Sequence, residues 1–526
     1  MYELVQQTWA AVLHLDVAEI LDDSCFFELP SFGAFYGHLV TVPKRRDSAR
    51  HGEIEEAVSR VDIGPNFLES ALQKLNMDPD SAIKAAVMTP HQGSTSLFVG
   101  PGSDTRAEGI LMLSLEGNFG LLNYVYEVDG GAGLHSRLTS ALHLLAAKNP
   151  VFRTTAIKVE SDICFAQVLL RRSNYTFSRR DSLGAYLDET KKSRDPFGRP
   201  AVQCRLIEDD PAMDGKTFFV MSIDHLFCDG FSHYLLDQDL HQVLQAPDTY
   251  AAEARERPWF GDFANRLRWH SEDRGAAEFW TEYLDGARFS NLHEGLPAKF
   301  TFCTGGNNIV RQSVPKSGLK DCPEMVNQTA AVVSAWCLAV ARHSASRDVV
   351  FGLFRHGRSS RGEDTRHMIG PLSTITPIRM RIQDLDETVE SFVGRMQQEI
   401  LSTARWEQGH IPGIWSTDEG VPWVQSVINV KPSLKKATQP VDMRQSNGDC
   451  ALNCFVPRRD LEGYSMDSEW TVLTQVRETE DDLVMELGHH PTRLDTVITM
   501  RLMQEFCRIL RGIGRASGQR VGELIQ

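Results

Sequence analysis

Residues 330–341 read AAVVSAWCLAVA, twelve positions without a charged side chain. A run of that length is too short to cross a bilayer, which takes about 20 apolar residues. It reads instead as a helix that neighbouring elements must bury. The rest of the chain supplies the cover. "LLNYVYEV" (121–128) alternates with the period of a strand, and "LHSRLTSALHLLAAKN" (134–149) repeats with the period of a helix. Further strand-like runs lie at 165–170, 217–223, 348–354 and 422–431, and further helices at 231–245 and 328–345. Strands alternating with helices describe a mixed α/β protein whose sheets are interior and covered by helices.

The 526 residues favour more than one domain or one large bilobed unit. A formal net charge of -15 argues against nucleic acid or an anionic membrane as partner, since phosphate binding needs a basic surface. The basic pairs Arg171-Arg172 and Arg179-Arg180 read as solvated faces. Ten cysteines are scattered without a Cys-x-x-Cys, and the nearest pair, Cys450 and Cys454, has no companion pair. They read as reduced thiols of a cytoplasmic protein, forming neither a disulfide framework nor a metal site. The N-terminus lacks the basic and apolar regions of a signal peptide. A soluble monomer is expected.

Before residue 105 the pattern differs. Residues 4–15 and 67–77 have helical spacing, 44–50 form a charged loop, and 90–104 are rich in Gly, Ser and Pro. The expected division is a small helical domain over 1–80, a linker over 81–104, and a mixed α/β remainder from 105 on.

Chemistry concentrates in residues 221–232, "MSIDHLFCDGFS". A strand ends there, a loop leaves it, and a helix begins near Ser232, the expected N-cap. His225 at the strand end can be held rigidly, and neutral imidazole near pH 7 takes a proton from an amine or a hydroxyl. Asp229 can anchor the loop through an ion pair. Gly230 permits a sharp turn and close approach of a substrate to the main chain. On these residues alone, a buried loop histidine beside a common Asp-Gly turn is an equal reading.

At this point the chain resembles the condensation domains of nonribosomal peptide synthetases, in the chloramphenicol-acetyltransferase-like superfamily. Their His-His-x-x-x-Asp-Gly stands here as Asp224-His225-Leu226-Phe227-Cys228-Asp229-Gly230. "TRAEGILMLS" (105–114), "KNPVFRT" (148–154), "AEFWTEYLDG" (277–286), "DVVFGLFRHGR" (348–358) and "MIGPLSTITPIR" (368–379) are similar to family segments in the same order. The resemblance implies two lobes, 105–285 and 286–526, in a V with a central tunnel, and His225 as the catalytic base near its middle. It implies Gly230 as an oxyanion donor, Asp229 as structural with Arg358 as its partner, and no bound cofactor. Asp224 replaces the first histidine. Neighbouring side chains in an extended chain point to opposite sides, so Asp224 is expected as a packing position that tolerates histidine. Asn429 is expected on a strand near the tunnel, a strand-end hydrogen bond being the alternative. His410, His489 and His490 match nothing and are expected on the surface or in loops.

Residues 5–40 resemble a peptidyl carrier domain in "WAAVL" and "DSCFFELPSFGAFYGHLV". The serine that carries phosphopantetheine in such domains aligns with Gly33, and Ser31 fits only with a gap. A degenerate carrier that cannot be loaded is implied, the alternative being a small helical packing domain. Phosphopantetheine would then sit only on a partner carrier protein. The implied function is a free-standing condensation enzyme. It would join an acyl or aminoacyl thioester, delivered in trans on a carrier, to a small amine or alcohol. The alternatives are an acyl-CoA-dependent acyltransferase and a silent docking or scaffold domain.

Overall fold

The computed structural model describes residues 72–73, 82–87, most of 121–292, 308–319, 328–358, 364–408, 426–431, 455–458 and most of 471–525. The carrier-like segment with Gly33, and residues 105–114, lie outside the described residues. In chain order the strands are β1 (Ala82–Val87), β2 (Leu121–Val128), β3 (Thr154–Lys158), β4 (Phe165–Leu170), β5 (Thr176–Arg180), β6 (Val202–Asp210) and β7 (Lys216–Asp224). They continue with β8 (Asn308–Pro315), β9 (Asp348–Arg355), β10 (Thr374–Arg381), β11 (Ser426–Lys431), β12 (Phe455–Pro457), β13 (Val472–Glu478) and β14 (Asp482–His489). The helices that matter here are α1 (Leu134–Lys148), α2 (Gly230–Gln245), α3 (Arg274–Leu284), α4 (Gln328–Ser344), α5 (Val389–Ala404) and α6 (Thr496–Ile513).

The first lobe is built on a five-stranded sheet ordered β12-β2-β7-β6-β5. Its core joins Tyr124, Tyr126 and Met221 from the sheet to Leu138 and Leu142 of α1 and Leu236 and Leu240 of α2. Strand β7 lies near the sheet's centre and is buried from Thr217 to Asp224. A fully buried strand reads as a continuous apolar run, and "TFFVMSI" is one. The second lobe is a six-stranded sheet ordered β10-β9-β11-β13-β14-β8. Helices α4, α5 and α6 cover one face, where Trp336, Phe392 and Phe506 share a core with Phe351 and Ile428. Every residue from Ala330 to Ala341 is buried. The other face carries Trp280 and Leu284 of α3 against Val350, Val427 and Leu473.

Two expected boundaries are corrected. Strand β1 lies inside the stretch read as a linker over 81–104 and pairs antiparallel with β4, Ala86 opposite Gln167. Strand β12 comes from the second unit, yet it pairs antiparallel with β2 of the first, Phe455 opposite Val128. The Arg458 amide extends that edge to the Val125 carbonyl at 2.8 Å, and its guanidinium pairs with Glu127. A division at residue 286 therefore cuts through a sheet. Among the described residues no helix is long and apolar enough to cross a membrane, and no cluster of His, Cys, Asp and Glu could hold a metal.

Candidate active site

Strand β7 ends at Asp224, a 3-10 turn spans His225–Phe227, and α2 starts at Gly230. The N-cap of α2 is Asp229, whose carboxylate accepts from the Ser232 amide at 2.8 Å. Ser232, expected as the cap, sits inside the first turn. A carboxylate accepts such an amide as readily as a hydroxyl and suits the positive helix end. His225 is half-buried. Loss of water holds its pKa below the ordinary 6.5, opposed by the Asp229 charge and by hydrogen bonds to the backbone of His225 and Cys228. The ring is therefore neutral at neutral pH.

Asp229 joins the lobes. Arg358 grips it as a fork, Nη1 to Oδ2 at 2.8 Å and Nη2 to Oδ1 at 3.0 Å. The amides of Leu372 and Ser373 and the Ser373 hydroxyl also donate to Oδ2, at 3.1, 3.0 and 2.9 Å. Against the cost of burial, the Arg358 charge and hydrogen bonds, with those from Ser232, hold the Asp229 pKa at about 2. Arg358 also donates to the Ser232 hydroxyl at 3.1 Å and lies 4.6 Å from the Phe231 ring centre. The Ser232 hydroxyl donates to the Gly370 carbonyl at 2.8 Å and accepts from the Gly370 amide at 2.9 Å. At Gly357, with φ of 67°, a Cβ would fall 1.8 Å from the Leu372 carbonyl oxygen. Only glycine lets the Arg358 loop close on the segment that leads into β10.

Gly230 is exposed at the first turn of α2. Its φ is not positive, and a side chain there would meet nothing within 4 Å. The sharp turn expected of it is not what the position requires. Its feature is open space beside a helix N-terminus whose amides carry partial positive charge.

Asp224 is 3% exposed. Its Oδ1 accepts from the Leu226 amide at 3.0 Å, and its Oδ2 lies 3.8 Å from Nη2 of Arg199. Burial pushes its pKa up to about 6, the Leu226 bond and the Arg199 charge opposing. The expected packing position is thus a polar cap on the turn that carries His225. Asn429 sits half-buried on β11 opposite Gln475 of β13, and the bonds that tie Asp229 to the second lobe do not run through it. His489, expected on the surface or in a loop, is fully buried at the end of β14, its Nε2 3.1 Å from the Thr496 hydroxyl. His410 and His490 lie outside the described residues.

Sequence reasoning missed the Leu372 and Ser373 donors and the Ser232–Gly370 pair. It also missed His356, whose Nδ1 accepts from the Arg358 amide at 3.0 Å. Four of these contacts use main-chain amides, those of Leu372, Ser373, Gly370 and Arg358, which leave no residue signature. The segment at 368–379 was the available signal.

The condensation-domain family profile matches residues 125–524. The chain belongs to the condensation-domain family. It is 31% identical over 558 residues to nonribosomal peptide synthetase 8 of Gibberella moniliformis, covering 99% of this chain and 98% of that protein. It is 32% identical over 458 residues to nonribosomal peptide synthetase ALT12 of Alternaria alternata, covering 87% and 79%. The solved condensation domain of the monacolin K polyketide synthase MokA superposes with a TM-score of 0.61 at 13% identity, over 84% of this chain and 100% of that one. At such identity the likeness carries the fold, that of chloramphenicol-acetyltransferase-like condensation domains. Condensation domains are acyl-transferring units of secondary metabolism that form amide or ester bonds and work with carrier proteins.

Proposed function

We propose that this condensation domain joins an acyl or aminoacyl group, delivered in trans as a carrier-bound phosphopantetheine thioester, to a small amine or alcohol. The observation that carries the reading is the half-buried, neutral His225, fixed at the end of a buried strand beside the open N-terminus of α2. The imidazole takes the N–H or O–H proton of the acceptor as its lone pair attacks the thioester carbonyl. The tetrahedral oxyanion forms near the Gly230 amide, where the helix end favours negative charge. It collapses with loss of the thiolate, and the imidazolium returns its proton to that sulfur. Asp229 and Arg358 hold the lobes together around this step. Action as a separate enzyme is supported by the match over 98% of the length of one relative.

The test is product mass spectrometry with a loaded carrier, the matching acyl-CoA, and panels of amines and alcohols. Turnover with the loaded carrier and little with acyl-CoA is expected. Equal or better use of acyl-CoA would make the protein a CoA-dependent acyltransferase, and no product in any arm would favour a docking role. His225→Ala should lower turnover by about 10²–10⁴-fold at unchanged Tm, the usual worth of a general base. Near-normal turnover would remove His225 from the chemistry. The degenerate carrier reading belongs here too. With Gly33 at the attachment position, a phosphopantetheinyl transferase and CoA should leave the intact mass unchanged. A mass gain lost in Ser31→Ala would show a live carrier.

A further inference from the structure

We propose that Asp224 is a positioning residue for His225: its carboxylate caps the Leu226 amide and so fixes the 3-10 turn that aims the imidazole. The proposal rests on the reading of His225 as the base. A turn of three residues has no helix of its own to hold it. The chain passes from β7, where Asp224 still pairs with Leu121 and its amide donates to the Ala201 carbonyl at 3.0 Å, into the 3-10 turn at the next residue. The carboxylate ties the two sides of this change together, spanning His225 to reach the Leu226 amide at 3.0 Å, beside the His225 ring's own hydrogen bonds to the turn backbone.

Three features mark this as an arrangement rather than a filled space. The side chain is 4% exposed, so its orientation is set by packing and not by water. The ordinary competitor for a buried carboxylate, an ion pair, is held off at 3.8 Å from Arg199, leaving the amide as the shorter contact. The Arg199 backbone is itself anchored, its carbonyl accepting from the Thr155 hydroxyl at 2.8 Å. The Arg199 guanidinium faces Oδ2 at 3.8 Å while the turn holds Oδ1. Neutral Asn supplies the same acceptor, and Ala supplies none. Histidine offers a ring nitrogen as acceptor in its place, as His356 does for the Arg358 amide two residues on, so Asp224→His is still expected to be tolerated.

The test is a double-mutant cycle read as kcat and KM separately. Asp224→Ala should lower kcat by on the order of 10- to 100-fold with KM little changed, as expected when a reacting group is displaced by about an ångström. Asp224→Asn should recover most of that loss. In a His225→Ala background, Asp224→Ala should have no further effect on the residual rate, because it acts through the missing ring. A full second loss in that background would overturn the proposal, as would parent-like kcat in folded Asp224→Ala or an Asn variant no better than Ala. If Asp224→Ala does not fold, Asp224→Asn and Asp224→Ser grade the reach of the acceptor, and equal kcat in the two would overturn it. Failure of the underlying reading is visible separately, as near-normal turnover in His225→Ala alone.

Discussion

The loop from Asp224 to Gly230 carries a buried aspartate near each end, and the two behave oppositely. Asp229, 2% exposed, faces a forked arginine, two main-chain amides and a serine hydroxyl from the other lobe, besides its own helix. Asp224, 3% exposed, has one amide at 3.0 Å and an arginine held 3.8 Å away. Equal burial thus leaves one carboxyl at about 2 and the other at about 6. Burial sets the cost of the charge, and a close counter-charge with its hydrogen bonds decides whether it is met. Asp229 spends its lone pairs on joining lobes, whereas Asp224 spends them on local chain direction.

The largest effect that could break this contrast is in Asp229→Ala. It strands the Arg358 charge and four further donors, at a cost of about 3–5 kcal/mol. Thermal melts should show a large fall in Tm together with lost turnover. A dead variant as stable as the parent would move Asp229 into the chemistry. The same carboxylate is depressed from 3.8 to about 2, so its stabilisation is full above 3.8 and is lost as the pH falls toward 2.

Asp224→Asn should do the reverse on a smaller scale. The folded pKa is raised from 3.8 to about 6, so the parent's stability falls as the pH rises through that window, by at most about 3 kcal/mol. Asn removes the penalty and keeps the acceptor. Its Tm should exceed the parent's at pH 7.5 and converge with it near pH 4. A less stable Asn variant at neutral pH would mean that the Arg199 attraction outweighs burial.

The contrast also reaches the ring between them. Asp229 raises the His225 pKa and burial lowers it, with burial the larger. The acid limb of kcat/KM should therefore show an apparent pKa below 6.5 and a plateau on the alkaline side. A limb at or above 6.5 would give Asp229 the larger hand. The smallest effect on stability is expected in Gly230→Ala, whose methyl meets nothing within 4 Å. Its stability should stay within about 0.5 kcal/mol of the parent. A drop in kcat/KM there would mark the open space as the substrate's.

Much of the scaffold is legible in the sequence, because period and length are strong where an element is long. The run at 330–341 demands burial and is buried, and "LLNYVYEV" and "DVVFGLF" are strands in the structure. The structure also brings Arg358 to Asp229 across 129 residues of chain. What the sequence hides is local direction and main-chain chemistry. "AIKAAV" is short and rich in alanine, so β1 passes for linker until β4 pairs with it. The donors at Leu372 and Ser373 are amides, which any residue offers. Asp224 was read from side-chain alternation along a strand, but the strand ends at that residue.

Strand β12 has a consequence in time. Every other strand of the first lobe's five-stranded sheet has been synthesised by residue 224, yet the partner of β2 on its outer side begins at Phe455. At ordinary elongation speeds the intervening stretch of about 230 residues takes roughly 10–50 s to emerge. Throughout that interval the nascent lobe lacks β12 along Tyr126–Val128, leaving an open edge of the kind that recruits foreign strands. On the ribosome the first lobe is therefore the more vulnerable half, although it is made first.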